Sequence, residues 1–361
     1  MKAFLHAYDH VNLGDDLFIR KITARYSHVK FYMYSTAANA QIYSDIKNLA
    51  VIDKDSKKFK MMQRLRPSLV ANYLDKLKKQ CDAVIYIGGS IFMEYPTWEN
   101  IVAWWEFQSG QYPFYVIGAN FGPYQTEEYK NKMGTQFAKL KDICFRDKYS
   151  YELFSNNKNS RLAPDILFSL AKKIIKDKKR EIIIAPIECE SREDICDKKE
   201  EYLRHLAKAA DKYASMGYAV NIVPFCVDEG DERVAIDLSE MIKSEVRIIS
   251  YNGKNHLEIL NLFESAEVVL ASRFHAAVIG LSYGCRILPI VYSNKTVNML
   301  EDIGYLGNIC DIRKEETYKY ILDDNEAVAV SEELIKELSI KSEEHFRLLD
   351  KLFTRRGEKS R

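Results

Sequence analysis

The stretch that decides the fold of this chain is VVLASRFHAAVIGLSYG, residues 268–284. It begins as an apolar, β-branched run, which is the pattern of a buried strand. It continues as a segment that is apolar on nearly every side, and Gly284 stands where a helix C-cap is expected. The stretch therefore predicts a strand followed directly by a buried helix.

Two polar side chains, Arg273 and His275, interrupt this apolar stretch at the first turn of the predicted helix. Burying such groups without partners costs on the order of several kcal/mol. Ser272 stands in the N-cap position, and a helix N-terminus adds N–H groups and a positive dipole end. The three residues predict an anion site. The alternative is structural, with Arg273 paired to an internal carboxylate and His275 hydrogen-bonded within the core.

Length and composition narrow the classes of protein to consider. The chain has 361 residues, enough for two domains of ordinary size. Its 47% hydrophobic and 29% charged residues are typical of a soluble globular protein with sizeable cores. A formal net charge of +1 gives no support to nucleic-acid binding, so no nucleic-acid partner is expected.

The sequence also indicates a cellular location. No apolar run approaches the ~18 residues of a membrane span, and the first residues do not resemble a secretory leader. The seven cysteines are an odd number and form no C-x-x-C pair. These features predict reduced thiols, no zinc or other metal site, and a cytoplasmic location.

Strands and helices alternate in both halves of the chain. Segments that predict strands lie at residues 2–8, 29–34, 83–87, 113–117, 143–145, 181–186, 219–224, 246–250, 268–271 and 286–292. Helical patterns fill most intervals between them, so the predicted fold is α/β, with two Rossmann-like doubly wound domains. We expect residues 1–170 in the first domain, residues 181–330 in the second and one long helix within residues 331–361, with the domains meeting at residues 164–180.

Polar or glycine-rich loops follow five of these strands. They contain Asn12-Leu13-Gly14-Asp15-Asp16, Gly88-Gly89-Ser90, residues 118–123, Arg146 and the Ser272 stretch. Ligands of doubly wound sheets bind at the carboxyl ends of the strands, so the loops predict one cleft between two facing domains. Neither the dinucleotide pattern G-x-G-x-x-G nor a P-loop occurs in the sequence.

Two further segments carry strong charge. The acidic residues 228–231 look like a metal loop in isolation, but they lack the full calcium pattern and fit a helix N-terminus better. Residues 57–66 mix basic and apolar side chains, a composition more typical of a mobile or solvated surface segment. The alternative for residues 57–66 is peripheral contact with an anionic membrane surface, the inner face of the membrane.

Taken in order, these motifs resemble the polysaccharide pyruvyl transferase family over most of the chain. The resemblance rests on residues 12–16, Gly88-Gly89, residues 118–123, Arg146-Asp147 with Ser150, Pro164-Asp165, residues 272–276, and Tyr292 with Lys295. Ser90 stands where the family often has a third glycine, and the turn at Asn12 lacks the glycine that often precedes the asparagine. Both departures lie in the first domain, which is expected to bind the acceptor substrate.

The resemblance implies a fold like that of GT-B glycosyltransferases, with two Rossmann-like domains and a C-terminal helix that crosses back. It implies phosphoenolpyruvate as the donor substrate, bound by the second domain, with no cofactor and no metal. The acceptor would be a sugar, free or lipid-linked, of a surface-polysaccharide or exopolysaccharide precursor. The product would be a pyruvate ketal of that sugar.

This chemistry suits the residues already singled out. Phosphoenolpyruvate carries a phosphate and a carboxylate, which fit a bidentate arginine and a helix N-terminus. Arg273 would hold the anion, His275 would donate or shuttle a proton, and Arg146 is a second candidate anion contact. The other motif residues are candidate substrate contacts: Asn12, Gly14, Asp15, Asp16, Gly88, Gly89, Ser90, Gly122, Ser272, Tyr292 and Lys295.

Two other functions stay open on the sequence. One is a GT-B glycosyltransferase that uses a nucleotide sugar on the same architecture. The other is a non-catalytic sugar-binding or scaffold protein, although the presence of both Arg273 and His275 counts against it.

Overall fold

The computed structural model describes residues 1–8, 10–170 and 174–355. The chain divides into two compact units. Unit 1 contains Met1–Asp9, Leu17–Ile166 and Glu343–Arg361, and unit 2 contains His10–Asp16 and Leu167–Ser342. Residues 171–173 of the predicted linker and residues 356–361 of the predicted C-terminal segment lie outside the described residues.

The two units differ from the predicted domains at several places. Residues 10–16 and 167–170, expected in the first domain, cluster with unit 2. The C-terminal segment from Glu343 onward clusters with unit 1, as a helix that crosses back would do. Each unit therefore contains one short segment that is remote from it in the sequence.

Unit 1 is built on a seven-stranded parallel sheet. Its strands are β1 (Lys2–His6), β2 (Lys30–Ser35), β3 (Leu49–Asp53), β4 (Ala83–Ile87), β5 (Phe114–Ala119), β6 (Asp142–Phe145) and β7 (Ser160–Leu162). The strand order is β3-β2-β1-β4-β5-β6-β7, and each neighbouring pair is parallel. The order reverses between β1 and β4, which makes this pair the switch point of a doubly wound sheet.

Helices connect these strands, and most of them cover the sheet. They are α1 (Leu13–Arg25), α2 (Ala37–Ile42), α3 (Lys57–Leu65), α4 (Pro67–Lys79), α5 (Trp98–Gln111), α6 (Glu127–Phe137) and α7 (Lys148–Leu153). α1 begins at Leu13, because the N–H of Asp16 already donates to the carbonyl oxygen of Asn12 at 2.9 Å. The polar turn of the sequence is thus the cap and first turn of α1.

The unit 1 core is rich in aromatic rings. Phe92, Trp105, Phe121 and Phe137 are almost fully buried between the sheet and α5 and α6. Phe92 and Phe137 meet with ring centroids 4.7 Å apart, and Phe92 and Trp105 at 5.0 Å. α5 therefore contributes Trp105 to the core.

Unit 2 is built on a six-stranded parallel sheet. Its strands are β8 (Lys179–Ala185), β9 (Ala219–Ile222), β10 (Val246–Ile248), β11 (Ala266–Ala271), β12 (Arg286–Val291) and β13 (Cys310–Asp311). The strand order is β10-β9-β8-β11-β12-β13. β8 and β11 are parallel neighbours, and here the switch point lies between them.

The helices of unit 2 are α8 (Lys199–Ser215), α9 (Asp231–Met241), α10 (His256–Ser265), α11 (Phe274–Ser282), α12 (Asn294–Asp302) and α13 (Glu332–Ser342). In α11 every residue except His275 is buried, as its apolar sequence predicts. The acidic residues 228–231 lead into α9, whose N-cap is Gly230 in the left-handed region at φ +84°. A glycine at that position avoids the strain of a Cβ atom. The fold is therefore α/β, as predicted.

The predicted single C-terminal helix is in fact broken. After α13, a 3₁₀ turn (Glu343–Phe346) precedes α14 (Arg347–Arg355). His345 in this turn is fully buried in unit 1. Its Nδ1 accepts the N–H of Gly118 at 3.2 Å, and its Nε2 lies 3.0 Å from the carbonyl oxygen of Pro164. The break places this imidazole where both bonds form.

α14 packs on unit 1 through charged and aromatic contacts. Asp350 accepts from Nε and Nη2 of Arg25, at 2.9 and 2.8 Å, and from the hydroxyl of Tyr26 at 2.8 Å. The ring of Phe353 lies 4.8 Å from that of Tyr26. In the part of the chain that the structure describes, no helix has the length and apolar composition required to cross a membrane.

Candidate functional site

Arg273 lies between β11 and α11, directly at the switch point of unit 2. It is the N-cap residue of α11, so the prediction that Ser272 caps this helix is wrong. Ser272 is buried, its N–H donates to the carbonyl oxygen of Ala185, and its hydroxyl lies 2.7 Å from that of Tyr202. The hydroxyl is engaged with the core and does not cap α11.

The guanidinium group of Arg273 is paired with two carboxylates. The residue is only 7% exposed. Its Nε and Nη2 donate to the two carboxylate oxygens of Asp231, with Nε–Oδ2 at 2.7 Å, and its Nη1 donates to Oε2 of Glu229 at 2.6 Å. Desolvation disfavours the charge, but these two carboxylates raise the pKa of Arg273 well above its ordinary value. Arg273 is thus paired with internal carboxylates, as the structural alternative predicts. Its role in binding a substrate anion stays a prediction.

A second arginine shares one of these carboxylates. Nη2 of Arg192 donates to the same oxygen of Glu229 at 2.9 Å. The Arg192 guanidinium lies 5.1 Å from the ring centre of Tyr292, and Nζ of Lys295 lies 5.6 Å from it. With Asp231 and Arg273, these residues form what we call the Arg273 cluster, which contains three cations and two carboxylates.

Cations dominate the electrostatics of the Arg273 cluster. Desolvation opposes the ionisation of Glu229, yet Arg273, Arg192 and Lys295 lower its pKa to about 2. Desolvation likewise favours the neutral phenol of Tyr292, but Lys295, Arg273 and Arg192 lower its pKa below the ordinary value. Both shifts have the sign expected of a site that attracts anions.

His275 is the residue of α11 that is partly exposed. Its imidazole lies against the backbone of Gly14, where an added Cβ atom would overlap Nδ1 and the neighbouring ring carbons. The ring of Phe274 meets it edge to face at 5.2 Å. Glycine at position 14 is therefore required by the close approach of the imidazole.

Residues 10–16 are held to unit 2 by several bonds. The N–H of Leu13 donates to the carbonyl oxygen of Phe225 at 3.1 Å, and Asn12 forms a β-bridge with Cys226. Oδ1 of Asn12 accepts the N–H of Gly14 at 3.0 Å. These bonds bring the predicted residues Asn12 and Gly14 to the same unit as His275.

The two aspartates of this motif differ in environment. Asp16 is fully buried, and its Oδ2 accepts from the hydroxyl of Tyr251 at 2.6 Å. Asp15 is half-buried in the first turn of α1. Asp16 thus ties the start of α1 to unit 2 through Tyr251, a residue that the sequence analysis did not single out.

A second group of predicted residues meets in unit 1. Arg146 follows β6 and is 5% exposed. Its Nη1 donates to Oδ2 of the buried Asp165 at 3.0 Å, and its Nη2 donates to Oδ1 of Asn120 at 2.6 Å. The hydroxyl of Ser90 donates to the same oxygen of Asn120 at 3.3 Å. We call these four residues and Gly89 the Arg146 cluster.

Gly89 permits the close approach of the Arg146 guanidinium. A Cβ atom at Gly89 would lie 2.5 Å from Nη2 of Arg146. The carbonyl oxygen of Gly89 also accepts the N–H of Asn120 at 2.9 Å. Gly88 continues the sheet by donating to Ile117, whereas Gly122 bonds to the backbone of Phe92.

The predicted residues thus fall in both units. Gly88, Gly89, Ser90, Gly122 and Arg146 lie in unit 1, and Asn12, Gly14, Asp15, Asp16, Ser272, Arg273, His275, Tyr292 and Lys295 lie in unit 2. The sequence analysis missed the partners Arg192, Glu229, Asp231, Asn120 and Asp165. For Glu229 and Asp231 the sequence carries a signal, the acidic segment 228–231, but it does not show which cation pairs with them.

Comparisons of the amino-acid sequence found a matching family and a similar protein. The sequence profile of the polysaccharide pyruvyl transferase family matches residues 12–294. The amylovoran biosynthesis protein AmsJ of Erwinia amylovora is 22% identical over 278 residues, which are 68% of this chain. This chain spans 65% of the length of that relative.

Solved structures resemble the chain in fold. A UDP-GlcNAc 2-epimerase from Neisseria meningitidis, bound to UDP-GlcNAc, has a TM-score of 0.56 at 13% identity, covering 97% of this chain and 100% of the other. The calicheamicin glycosyltransferase CalG4 has a TM-score of 0.50 at 10% identity, covering 100% of this chain and 99% of the other. The two-domain α/β fold is of the GT-B type.

Proposed function

Because this chain belongs to the polysaccharide pyruvyl transferase family, we propose that it transfers the pyruvyl group of phosphoenolpyruvate to a sugar hydroxyl pair. The acceptor is a sugar, free or lipid-linked, of a surface-polysaccharide or exopolysaccharide precursor, and the product is a pyruvate ketal. The observation that carries the proposal is the cation excess of the Arg273 cluster, directly beside the partly exposed His275. The seven cysteines are free thiols, which supports a cytoplasmic location.

The donor anion would bind to the cations of unit 2. Three of the five N–H groups of Arg273 donate to carboxylates in the described part of the chain, which leaves two for a substrate oxygen. Arg192 and Lys295 flank the ring of Tyr292 and supply further positive charge. Together they suit a ligand that carries both a phosphate and a carboxylate.

His275 would act as the general acid. Its proton goes to the methylene carbon of phosphoenolpyruvate, which becomes a methyl group, and the adjacent carbon becomes electrophilic. One sugar hydroxyl attacks that carbon and loses its proton. The carbon–oxygen bond to phosphate then breaks, the second hydroxyl attacks to complete the ketal, and its proton passes to the departing phosphate. The imidazole can donate the first proton and regain one from the first hydroxyl.

The Arg146 cluster would serve the acceptor. Its one cation is balanced by Asp165, so it offers polar groups without excess charge. Ser90 and Asn120 are short hydrogen-bonding side chains, suited to sugar hydroxyls. Arg146 would then orient Asn120 rather than capture the donor anion.

The direct test incubates the chain with phosphoenolpyruvate and a panel of free and lipid-linked sugars. We expect inorganic phosphate release that depends on one acceptor, and a product whose mass corresponds to the sugar plus pyruvic acid minus water. The wild-type chain and a folded His275→Gln variant are assayed in parallel, and only the wild type should form the product rapidly.

A thermal-shift series separates the proposal from the nucleotide-sugar alternative. We expect phosphoenolpyruvate to raise the melting temperature, and uridine or guanosine diphosphate sugars to have little effect. Glycosyl transfer from a nucleotide sugar, with no ketal formed from phosphoenolpyruvate, would contradict the proposal.

A further inference from the structure

The helix pair α3 and α4 carries a large excess of positive charge. Residues 57–79 contain eight Lys or Arg residues and a single acidic residue, Asp75, whereas the whole chain is nearly neutral at +1. Asp75 is already engaged, because it accepts from the hydroxyl of Tyr112 at 2.6 Å and pairs with Lys79 at 2.9 Å. The positive charge of the pair is therefore not offset on its own surface.

The outer side of the pair also exposes large apolar side chains. Met61 is 59% exposed, Leu65 is 68% exposed and Leu69 is 39% exposed. Met61 and Leu65 are four residues apart and lie on one face of α3. Phe59 occupies the opposite face and is buried, with its ring 5.7 Å from that of Tyr34. α3 thus buries Phe59 on one face and exposes Met61 and Leu65 on the opposite face.

Basic side chains border this exposed apolar pair. At 100° per residue, Lys57 and Arg64 lie on one side of Met61 and Leu65, and Lys58 lies on the other. In the described ranges of the chain, no carboxylate lies within ion-pair distance of Lys57, Arg64 or Arg66. Their charges are available to a ligand.

We infer that the outer face of α3 and α4 docks on an anionic lipid surface. Met61, Leu65 and Leu69 would enter the boundary between headgroups and acyl chains, while the surrounding cations meet lipid phosphates. Nucleic-acid sites place cations along a backbone and use stacking rings, whereas here aliphatic side chains stand at the centre of the basic patch. The inference rests on charge and exposure alone and stands independently of the proposed reaction.

Flotation with lipid vesicles tests the surface directly. The full chain should float with vesicles of phosphatidylglycerol and phosphatidylcholine in equal parts, and remain unbound with phosphatidylcholine alone. Added salt should weaken the binding, because it screens the cations. The combined variant Lys57→Gln, Arg64→Gln and Arg66→Gln should lose about fivefold in affinity per charge, roughly two orders of magnitude in all.

A matched control removes the same number of charges elsewhere. Lys132, Lys148 and Lys158 are exposed on other surfaces of unit 1, and their combined change to Gln should leave vesicle binding close to that of the wild type. The variant Met61→Ser with Leu65→Ser keeps every charge and should still lose about tenfold per side chain. Both positions are exposed, so the variants should keep the wild-type unfolding midpoint.

Three outcomes would overturn the inference. The first is equal binding to vesicles with and without phosphatidylglycerol. The second is unchanged binding by the folded triple-Gln variant or the folded double-Ser variant. The third is no vesicle binding at all, together with binding of the wild type to a polyanion such as single-stranded RNA.

Discussion

Two buried arginines, Arg146 in unit 1 and Arg273 in unit 2, each lie at the carboxyl end of a parallel strand, β6 and β11 respectively. Each is less than a tenth exposed and donates to a fully buried aspartate. Their other partners differ. Arg146 shares its charge with the amide oxygen of Asn120, whereas Arg273 donates to a second carboxylate, Glu229, that also binds another arginine.

The comparison shows that the residues around a buried arginine decide whether its site is neutral or positively charged. One cation and one carboxylate make the Arg146 cluster neutral, while three cations against two carboxylates leave the Arg273 cluster positive. The Arg273 cluster therefore favours the binding of an anion and the Arg146 cluster does not, because desolvated charges interact strongly. The donor therefore belongs to unit 2 in our proposal, and the uncharged acceptor to unit 1.

The largest effect on turnover is expected from a substitution of His275, not from one in the Arg146 cluster. His275→Gln removes the titrating proton but keeps a polar side chain of similar size. Turnover should fall by roughly 10²–10⁴, while the affinity for phosphoenolpyruvate changes much less. Steady-state kinetics and isothermal calorimetry on the same preparations measure both.

The control for this change is His28→Gln, since His28 is exposed in unit 1. It should leave turnover unchanged. Near-wild-type turnover in folded His275→Gln would refute the acid assignment, whatever the affinity showed.

Gly14→Ala and Gly89→Ala displace His275 and Arg146, respectively, by the same physical change. The Cβ at position 14 overlaps the imidazole of His275, and a small misplacement of a reacting group costs about a hundredfold in turnover. The Cβ at position 89 displaces the guanidinium of Arg146, so we expect an acceptor KM about tenfold higher with donor binding unchanged. Kinetics with each substrate varied in turn distinguish these outcomes.

Gly110→Ala is the matched control, because an added Cβ there meets no atom within 4 Å. It lies in α5, where alanine should be neutral or slightly stabilising. If Gly14→Ala kept full turnover, the contact of His275 with position 14 would have no bearing on the reaction.

Arg273→Lys and Arg146→Lys compare the two arginines directly. Lysine keeps the charge but loses the planar fork, so Arg273→Lys should weaken phosphoenolpyruvate binding by about 1–3 kcal/mol. Arg146→Lys should leave donor binding near wild type. Calorimetric titration and the melting temperature are measured for both variants.

A purely structural Arg273 would give a different pattern. Both variants would then lower the melting temperature by breaking a buried ion pair, and neither would alter donor affinity in the folded protein.

The smallest expected effect is on the pH dependence of the stability of unit 1. Burial, together with Arg161 and Arg146, lowers the pKa of His345 to about 3, whereas the unfolded chain titrates near the ordinary value. The unfolded state therefore binds more protons below about pH 6.5, and stability should fall as the pH falls, by about 2 kcal/mol at pH 5. His345→Gln should flatten this dependence.

The three tryptophans provide the readout, since all lie in α5 of unit 1. Urea unfolding followed by tryptophan fluorescence at about pH 7.5 and pH 5 measures the difference for wild type and variant. Part of the pH dependence of the unfolding free energy should persist in His345→Gln, because burial and Lys78 also hold the pKa of His6 well below its ordinary value. An unchanged slope would show that His345 is not the titrating group.

The sequence by itself determined the succession of elements and the type of fold. Valine-rich strands such as β11 and the apolar helix α11 are encoded in local composition and periodicity. So is the helix N-terminus at residues 228–231, which the structure confirms with α9. These signals are readable because they depend on residues that are close together in the chain.

Only the tertiary structure decided which side chains meet. Glu229 and Asp231 follow β9, Arg192 follows β8 and Arg273 follows β11, and sheet order brings them together across a large sequence separation. The same holds for Gly14, which meets His275 through bonds of residues 10–16 to unit 2. Helix and strand preferences are local, whereas the partner of a buried charge is chosen by packing and desolvation in the folded chain. For that reason the sequence indicated Arg273 and His275 as candidates, but the charge balance around them emerged only from the fold.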